Sequence, residues 1–443
     1  MKIKLSDHFT YSKLLRFVFP SIIMMVFTSI YGVVDGLFVS NFAGKTAFAS
    51  INLVMPFVMI LGGIGFMIGT GGTALVSKVL GEGKKEKANE IFTMMIIFTL
   101  LLGALLSVIG VISMPWVAKF LGATEEMMAD CVLYGRIVTG FTVAFMLQNV
   151  FQSFLIAAEK PKLGLLATVL AGIANMALDA IFIIVFKWGV AGAAIATGLS
   201  QCVGGIFPLI YFSRKNSSLL RLTKTKLEIK PILNSCGNGS SELMSNISSS
   251  VVSMIYNFQL MKYVGEDGVS AYGVLMYVQF IFVAIYIGYA IGCAPITGYH
   301  FGARNHNELK NMLRKSSFLS AVSGVVLTIL AIALSSPLAK IFVGYDEELY
   351  ELTRHAFRLF AYSFLLAGFN IFTSSFFTAL NNGAVSAAIS FMRTLIFQTS
   401  SVLILPMFLG VDGIWWAITV AEVFAFILSL IFIFAKRKKY NYI

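Results

Sequence analysis

The chain is short of charge. Only 12% of its 443 residues are Asp, Glu, Lys or Arg, 58% are hydrophobic, and the mean hydropathy is +0.85. A soluble domain carries about 25% charged residues, so a soluble globular protein is excluded. Cysteine is scarce too: Cys131, Cys202, Cys236 and Cys293 stand singly in apolar segments with no CxxC pair. That argues against a disulfide framework or a cysteine-ligated metal and reads as four small buried hydrophobes. His8, His300, His306 and His355 show no ligand spacing. No GxxxxGK[ST], GxSxG or HExxH occurs, so neither an ATP-driven motor nor an enzyme is expected. The first apolar run extends past signal-peptide length without a small-residue cleavage site and reads as a retained helix.

What is present is apolar length. Twelve runs reach the roughly 20 residues that a helix needs to cross a bilayer. They lie at 15–40, 48–78, 91–120, 130–158, 163–187, 190–212, 236–264, 268–298, 316–343, 354–380, 384–408 and 412–435. They are continuously apolar rather than alternating, and lipid requires internally satisfied backbones, so all are expected to be helices. The fold class expected is an all-α polytopic membrane protein.

Lys and Arg set the orientation. One side collects 24 of them, among them Lys2, Lys4, Lys13 and Arg16 at the start, and Lys436, Arg437, Lys438 and Lys439 at the end. The other side and its helix ends hold eight, including Lys45 and Lys187, and Arg393 lies inside a span. The excess of basic residues in cytoplasmic loops then predicts both termini in the cytoplasm. The net charge of +12 is therefore topological, and no nucleic-acid partner is expected.

The two halves echo each other. LGEGKKEKANEIF (80–92) matches FGARNHNELKNML (301–313), MPWVAKFLGATEEM (114–127) matches SPLAKIFVGYDEEL (336–349), and KWGVAGAAIA (187–196) matches FLGVDGIWWA (408–417). The pairs Gly81/Gly302, Gly189/Gly410 and Gly192/Gly413 share one offset of 221 residues. Six spans per half keep both halves in the same orientation, a parallel repeat of the kind that recurs in transporters. The expected organisation is a six-helix lobe over 1–212, a cytoplasmic linker over 213–231 with a short surface helix, and a second lobe over 232–443.

Acids inside the spans are few. Asp35 and Asp179 stand in the first and fifth. An ionised Asp at the middle of such a helix costs roughly 2.5–3.5 kcal/mol, so it is expected to face a polar cavity and to act there. Tyr31 lies four residues before Asp35 and Asn175 four before Asp179, each pair on one helix face. Thr197 lies amid small residues of the sixth span, and Tyr134 could add a hydroxyl. Two carboxylates, an amide oxygen and a hydroxyl suit a hard cation such as Na⁺, and equally a proton; the plainer reading is two satisfied acids that bridge helices. Gln148, Asn149 and Gln152 are pocket candidates. Glu242, in CGNGSSELMSNISSS, reads as a cavity-wall acid, a sign of a discontinuous helix, or a helix-start acid favoured by the dipole. Glu422 is ambiguous, and Arg393 is expected to pair with an acid or a carbonyl and is assigned no role.

These residues carry a resemblance. YGVVDGLFVSNFAG (31–44), GGTALVSKVLGEGKKEKA (71–88), NMALDAIFI (175–183), GVAGAAIATGLSQ (189–201) and NGSSELMSNISSS (238–250) resemble the multidrug and toxic compound extrusion (MATE) family, in its prokaryotic DinF-type branch. The resemblance implies twelve helices in two pseudo-symmetric lobes. It also implies an antiporter that expels cationic or amphipathic drug-like compounds in exchange for H⁺ or Na⁺, with no other cofactor. It implies a monomer in the prokaryotic cytoplasmic membrane, in contact with lipid. Asp35, Asn175, Asp179 and Thr197 match that branch's cation site, Tyr31 and Tyr134 match pocket tyrosines, and Glu242 resembles an acid of another branch. That other branch's tenth-helix Asp has no counterpart in FAYSFLLAGFNIFTSSFFTAL (360–380). A lipid-linked precursor flippase of the same architecture is the alternative.

Overall fold

The computed structural model describes residues 3–442; Lys2 and the side chain of Lys45, counted above, lie outside the described residues. The first half comprises α1 (Tyr11–Phe42), α2 (Lys45–Gly81), α3 (Lys85–Phe120), α4 (Glu125–Gly140 with Thr142–Ala157), α5 (Pro161–Asp179, continued by π-helical Ala180–Val185) and α6 (Gly189–Ser213). The second comprises α7 (Ile229–Tyr263), α8 (Glu266–Gly302), α9 (His306–Val343), α10 (Glu347–Ala361 with Phe364–Ala379), α11 (Gly383–Phe391, π-helical Met392–Phe397, then Gln398–Ile404 and Pro406–Leu409) and α12 (Val411–Tyr440). Each expected span falls inside one of these twelve segments or within a few residues of its ends.

Eleven of the segments are apolar enough to cross a membrane when the bent pairs in α4 and α10 count as one span each. The exception is α7, whose run of Gly, Ser and Asn lowers its hydropathy. It is nonetheless one continuous helix, so the expected discontinuity near Glu242 does not occur. Glu242 stands well inside α7 and not at its start. Several helices outrun their apolar stretches: α3 begins at Lys85 and α9 at His306, because helical bonding continues in water after hydropathy has ended.

The halves repeat in detail. α4 bends by 54° at Phe141 and α10 by 48° at Tyr362–Ser363. Thr124 caps α4 by accepting from Met127 N–H, and Asp346 caps α10 by accepting from Leu349 N–H. Each such cap contributes about 1 kcal/mol.

The linker departs from expectation. Residues 214–228 form no helix. Their backbone is bonded to α3 instead: Arg221 N–H donates to Asn89 Oδ1 at 3.0 Å and Thr223 N–H to Thr93 Oγ1 at 2.9 Å. Leu220 is fully buried beneath them.

The lobes meet through α1 and α2 of the first half and α7 and α8 of the second. On the side that carries the termini they touch backbone to backbone. A Cβ on Gly71 or Gly239 would collide with the opposing helix at Ser235 or Met67, and one on Gly81 or Gly302 with Tyr299 or Lys78. Gly288 and Gly292 of α8 press likewise on Ile22 and Val18 of α1. Asn381 adds a bond to the Ala74 carbonyl at 3.3 Å. Small residues permit this approach. Toward the other side the contact ends: nothing lies within 4 Å of a Cβ built on Gly32 or Gly273, and Asn52 and Asn257 are exposed. The lobes are closed at the termini side and part toward the far side.

Candidate ion-coupling site

The first-lobe site is assembled by a glycine. A Cβ on Gly172 of α5 would strike the rings of Phe27 and Tyr31, so the hydrogen at this position lets α1 lie against α5. That approach sets the Asp35 carboxyl facing Asp179 and Asn175. Asp179 is fully buried and Asn175 nearly so. Asp179 closes the regular part of α5, and the π-helical stretch follows at once, with Phe186 N–H bonded to the Ile181 carbonyl at 2.9 Å. Such widened turns are frequent at functional sites.

Several oxygens of these residues, and one of Thr197 on the neighbouring α6, are without a partner. Asp35 Oδ1, Asn175 Oδ1, both Asp179 carboxylate oxygens and Thr197 Oγ1 are buried without a hydrogen-bond partner. More than 90% of buried polar groups in folded proteins are bonded. An ionised carboxylate only accepts, and so does an amide oxygen. The set therefore fits a proton or a small hard cation, which would supply what the protein withholds.

Tyr31 and Tyr134 lie beside the acids. The Tyr31 phenol pairs with Gln148 and lies near Asp35. Tyr134 is buried within electrostatic reach of both Asp35 and Asp179. Gln148 in turn lies flat on α6, where a Cβ on Gly204 would stand 2.8 Å from it.

Other candidates fall elsewhere. Asn149 Nδ2 donates to the Gly62 carbonyl at 3.1 Å, so this amide pins α4 to α2. Gln152 is buried, and its Oε1 has no partner. Glu242 lies apart from the aspartates. It lines a cavity of about 50 Å³ between the lobes, with Thr70, Thr73, Ser153, Ser375 and Thr378 among its walls. Sequence reasoning left the partner of Arg393 open between an acid and a carbonyl; the structure gives it buried Glu422, in an ion pair at 2.7 Å that belongs to a second polar cluster. Both are intramembrane charges, and that was the available signal.

Comparison with known proteins places this architecture. The MatE family model matches residues 20–181 and 243–401, well over half of the chain. The chain belongs to the MatE family. It is 23% identical over 435 residues to the multidrug export protein MepA of Staphylococcus haemolyticus, covering 97% of this chain and 94% of that one. It is 24% identical to MepA of Staphylococcus saprophyticus, covering 96% and 94%. Among solved structures it is similar to the outward-facing conformation of a multidrug resistance MATE family transporter of the MOP superfamily, with a TM-score of 0.92 at 22% identity over 98% and 97% of the chains. It is also similar to MATE in the bent conformation, with a TM-score of 0.89 at 23% identity over 99% and 98%. The fold is thus the twelve-helix, two-lobe fold of these transporters, and the chain is a multi-pass membrane protein.

Proposed function

We propose that this MatE protein is a secondary antiporter that exports cationic or amphipathic compounds in exchange for H⁺ or Na⁺ bound at Asp35, Asn175, Asp179 and Thr197. The observation that carries the reading is that Asp35, Asn175 and Asp179 face one another with four buried oxygens, Asp35 Oδ1, Asn175 Oδ1 and both of Asp179, without a partner. The multidrug exporters among its relatives support the substrate class. The basic residues concentrated on the termini side support a cytoplasmic face there, and the bacterial exporters among its relatives support a prokaryotic cytoplasmic membrane, in which the chain acts as a monomer.

On this reading the present form, parted on the far side, is the outward-open state. An ion arriving from outside neutralises the carboxylate pair, and the pair then no longer repels a closer packing of α1 on α5. Bound substrate is released outward as that packing changes. The lobes then open inward, the ion leaves, and substrate reloads. An ion can drive this cycle only through different affinities for the two states. A flippase would need basic residues along the cavity for an anionic head group, and Arg393, the base inside a span, is already held by Glu422.

The test is transport in proteoliposomes with ΔpH or ΔNa⁺ imposed alone. Substrate movement driven by one of the two gradients, and lost in Asp35→Asn with insertion intact, is the expected result. Gradient-driven transport by Asp35→Asn at the unsubstituted rate would refute it.

A further inference from the structure

The second lobe holds a polar cluster built from the fourth, fifth and sixth helices of its half. Glu422 of α12 is 1% exposed. Arg393 of α11 closes on its carboxylate, with Nη2 2.7 Å from Oε1 and Nε 2.9 and 3.0 Å from the two oxygens. Asn370 of α10 donates to Glu422 Oε2 at 2.7 Å and to the Glu422 carbonyl at 3.0 Å, and Ser429 donates to Asn370 Oδ1 at 3.2 Å. From α8, the titratable group that faces this carboxylate is Tyr286, whose hydroxyl donates to the Phe364 carbonyl at 2.8 Å.

The repeat relates this cluster to the first-lobe site. At the 221-residue offset, Arg393 corresponds to Gly172, Glu422 to Gln201 and Asn370 to Asn149. Gly172 lies one turn before Asn175 and Gln201 one turn after Thr197. The second-lobe cluster therefore sits on the equivalents of the helices that carry Asn175, Asp179 and Thr197, shifted toward the termini by one turn from Asn175 and Thr197 and by two from Asp179. Each cluster adjoins a π-helical stretch of the fifth helix of its half, Ala180–Val185 in one and Met392–Phe397 in the other. They differ in balance. The first has two carboxyls and oxygens without donors. The second has one acid and one base, and every carboxylate oxygen of Glu422 is bonded.

We propose that Arg393 is a tethered cation: its guanidinium holds permanently, in the second lobe, the place that a free coupling ion takes in the first. The second lobe then passes through the transport cycle without gaining or losing charge. This rests on the ion-coupling reading of the first lobe. A guanidinium suits the role because it stays charged in proteins and its fork matches a carboxylate. A buried carboxylate stripped of its partner takes up a proton or a cation instead of remaining bare.

The test begins with the purified full chain and needs no transport. Thermal midpoints are measured against pH and against NaCl for Arg393→Ala and for Arg393→Ala/Glu422→Gln. Both are built on Asp35→Asn/Asp179→Asn, which silences the first lobe. The single second-lobe variant is expected to gain several degrees from acid or from Na⁺, and the double variant to gain none. Equal responses of the two would overturn the proposal. If Arg393→Ala does not fold, Arg393→Gln/Glu422→Gln with the aspartates intact keeps the lobe neutral. It is expected to exchange with the unsubstituted number of ions per turnover, and a folded protein with a changed number, or with coupled transport lost, would overturn the proposal. Failure of the first-lobe reading appears separately, as gradient-driven transport by Asp35→Asn.

Discussion

Gly81 and Gly302, 221 residues apart, exchange the same contact across the two halves: each presses on a backbone carbonyl of the other's helix, Gly81 on Tyr299 and Gly302 on Lys78. Lys78 and Tyr299 are themselves 221 residues apart. The axis that relates the lobes therefore passes between these two glycines. A Cβ at either position meets backbone, which cannot rotate away.

Gly81→Ala and Gly302→Ala should accordingly have the same effect. Overpacking of this kind costs about 1–3 kcal/mol, and every 1.4 kcal/mol shifts an equilibrium tenfold. The termini-side closure should loosen by roughly that amount. A cysteine at Ser77, a fully buried position of this seal, should be labelled about five- to hundredfold faster by a thiol reagent in either variant. Gly32→Ala, with open space around its Cβ, should leave the labelling rate unchanged. Unequal effects at Gly81 and Gly302 would count against the symmetric seal.

Thr197→Val separates stability from function. The Thr197 hydroxyl is buried without a partner, and a buried unsatisfied group costs about 1–3 kcal/mol. Its removal should raise the ion-free thermal midpoint while weakening ion-driven efflux of a cationic dye several-fold. A lower midpoint would mean that the hydroxyl is bonded in the ion-free protein.

The N-terminal segment straps the lobes together on the termini side. Leu5 N–H donates to Glu159, in the turn after α4, at 2.8 Å. Phe9 N–H donates to Glu308 of α9 at 3.0 Å, and His8 Nδ1 lies 2.7 Å from the same carboxylate. Leu5 and Phe9 are fully buried. Glu308→Ala leaves the Phe9 N–H without its acceptor, at a cost of about 1–3 kcal/mol. Labelling of the Ser77 cysteine should again accelerate. Unchanged labelling would show that the strap does not restrain the lobes.

The linker supplies a fourth check. Asn89→Ala removes the acceptor of Arg221 N–H, while Thr93 still holds Thr223. Hydrogen exchange at Arg221 should speed up about tenfold, the equivalent of 1.4 kcal/mol, with α3 unaffected. Unaltered exchange would place the restraint in the burial of Leu220 instead.

What could be read in the sequence follows the range of each interaction. Asp35 and Asp179 stood out because an acid in lipid is costly wherever the chain goes afterwards, and the repeat was visible because it preserves spacing. The ion pair of Arg393 and Glu422 joins residues 29 apart on neighbouring helices, and no local periodicity announces such a pairing. The bond from Asn149 to the Gly62 carbonyl was not legible, because polarity in a span does not name its partner. The linker was expected to hold a short helix, yet its backbone donors are taken by Asn89 and Thr93, which lie over 100 residues earlier. Hydropathy located the helices in lipid but not their ends, since residues 85–89 and 306–309, outside the apolar runs, are helical too.

The depth of the carboxylate pair has an electrical consequence. Asp35 is seven residues from the far end of α1 and 24 from its start, and Asp179 is likewise near the far end of α5. An elementary charge crossing the whole membrane potential is worth about 2.3 kcal/mol per 100 mV. An ion reaching Asp35 from the far side traverses the smaller share of that field, and its departure toward the termini traverses the larger. Membrane voltage should thus act mainly on ion release and only weakly on ion capture. A cell that loses its potential would keep a transporter able to load ions but slow to discharge them.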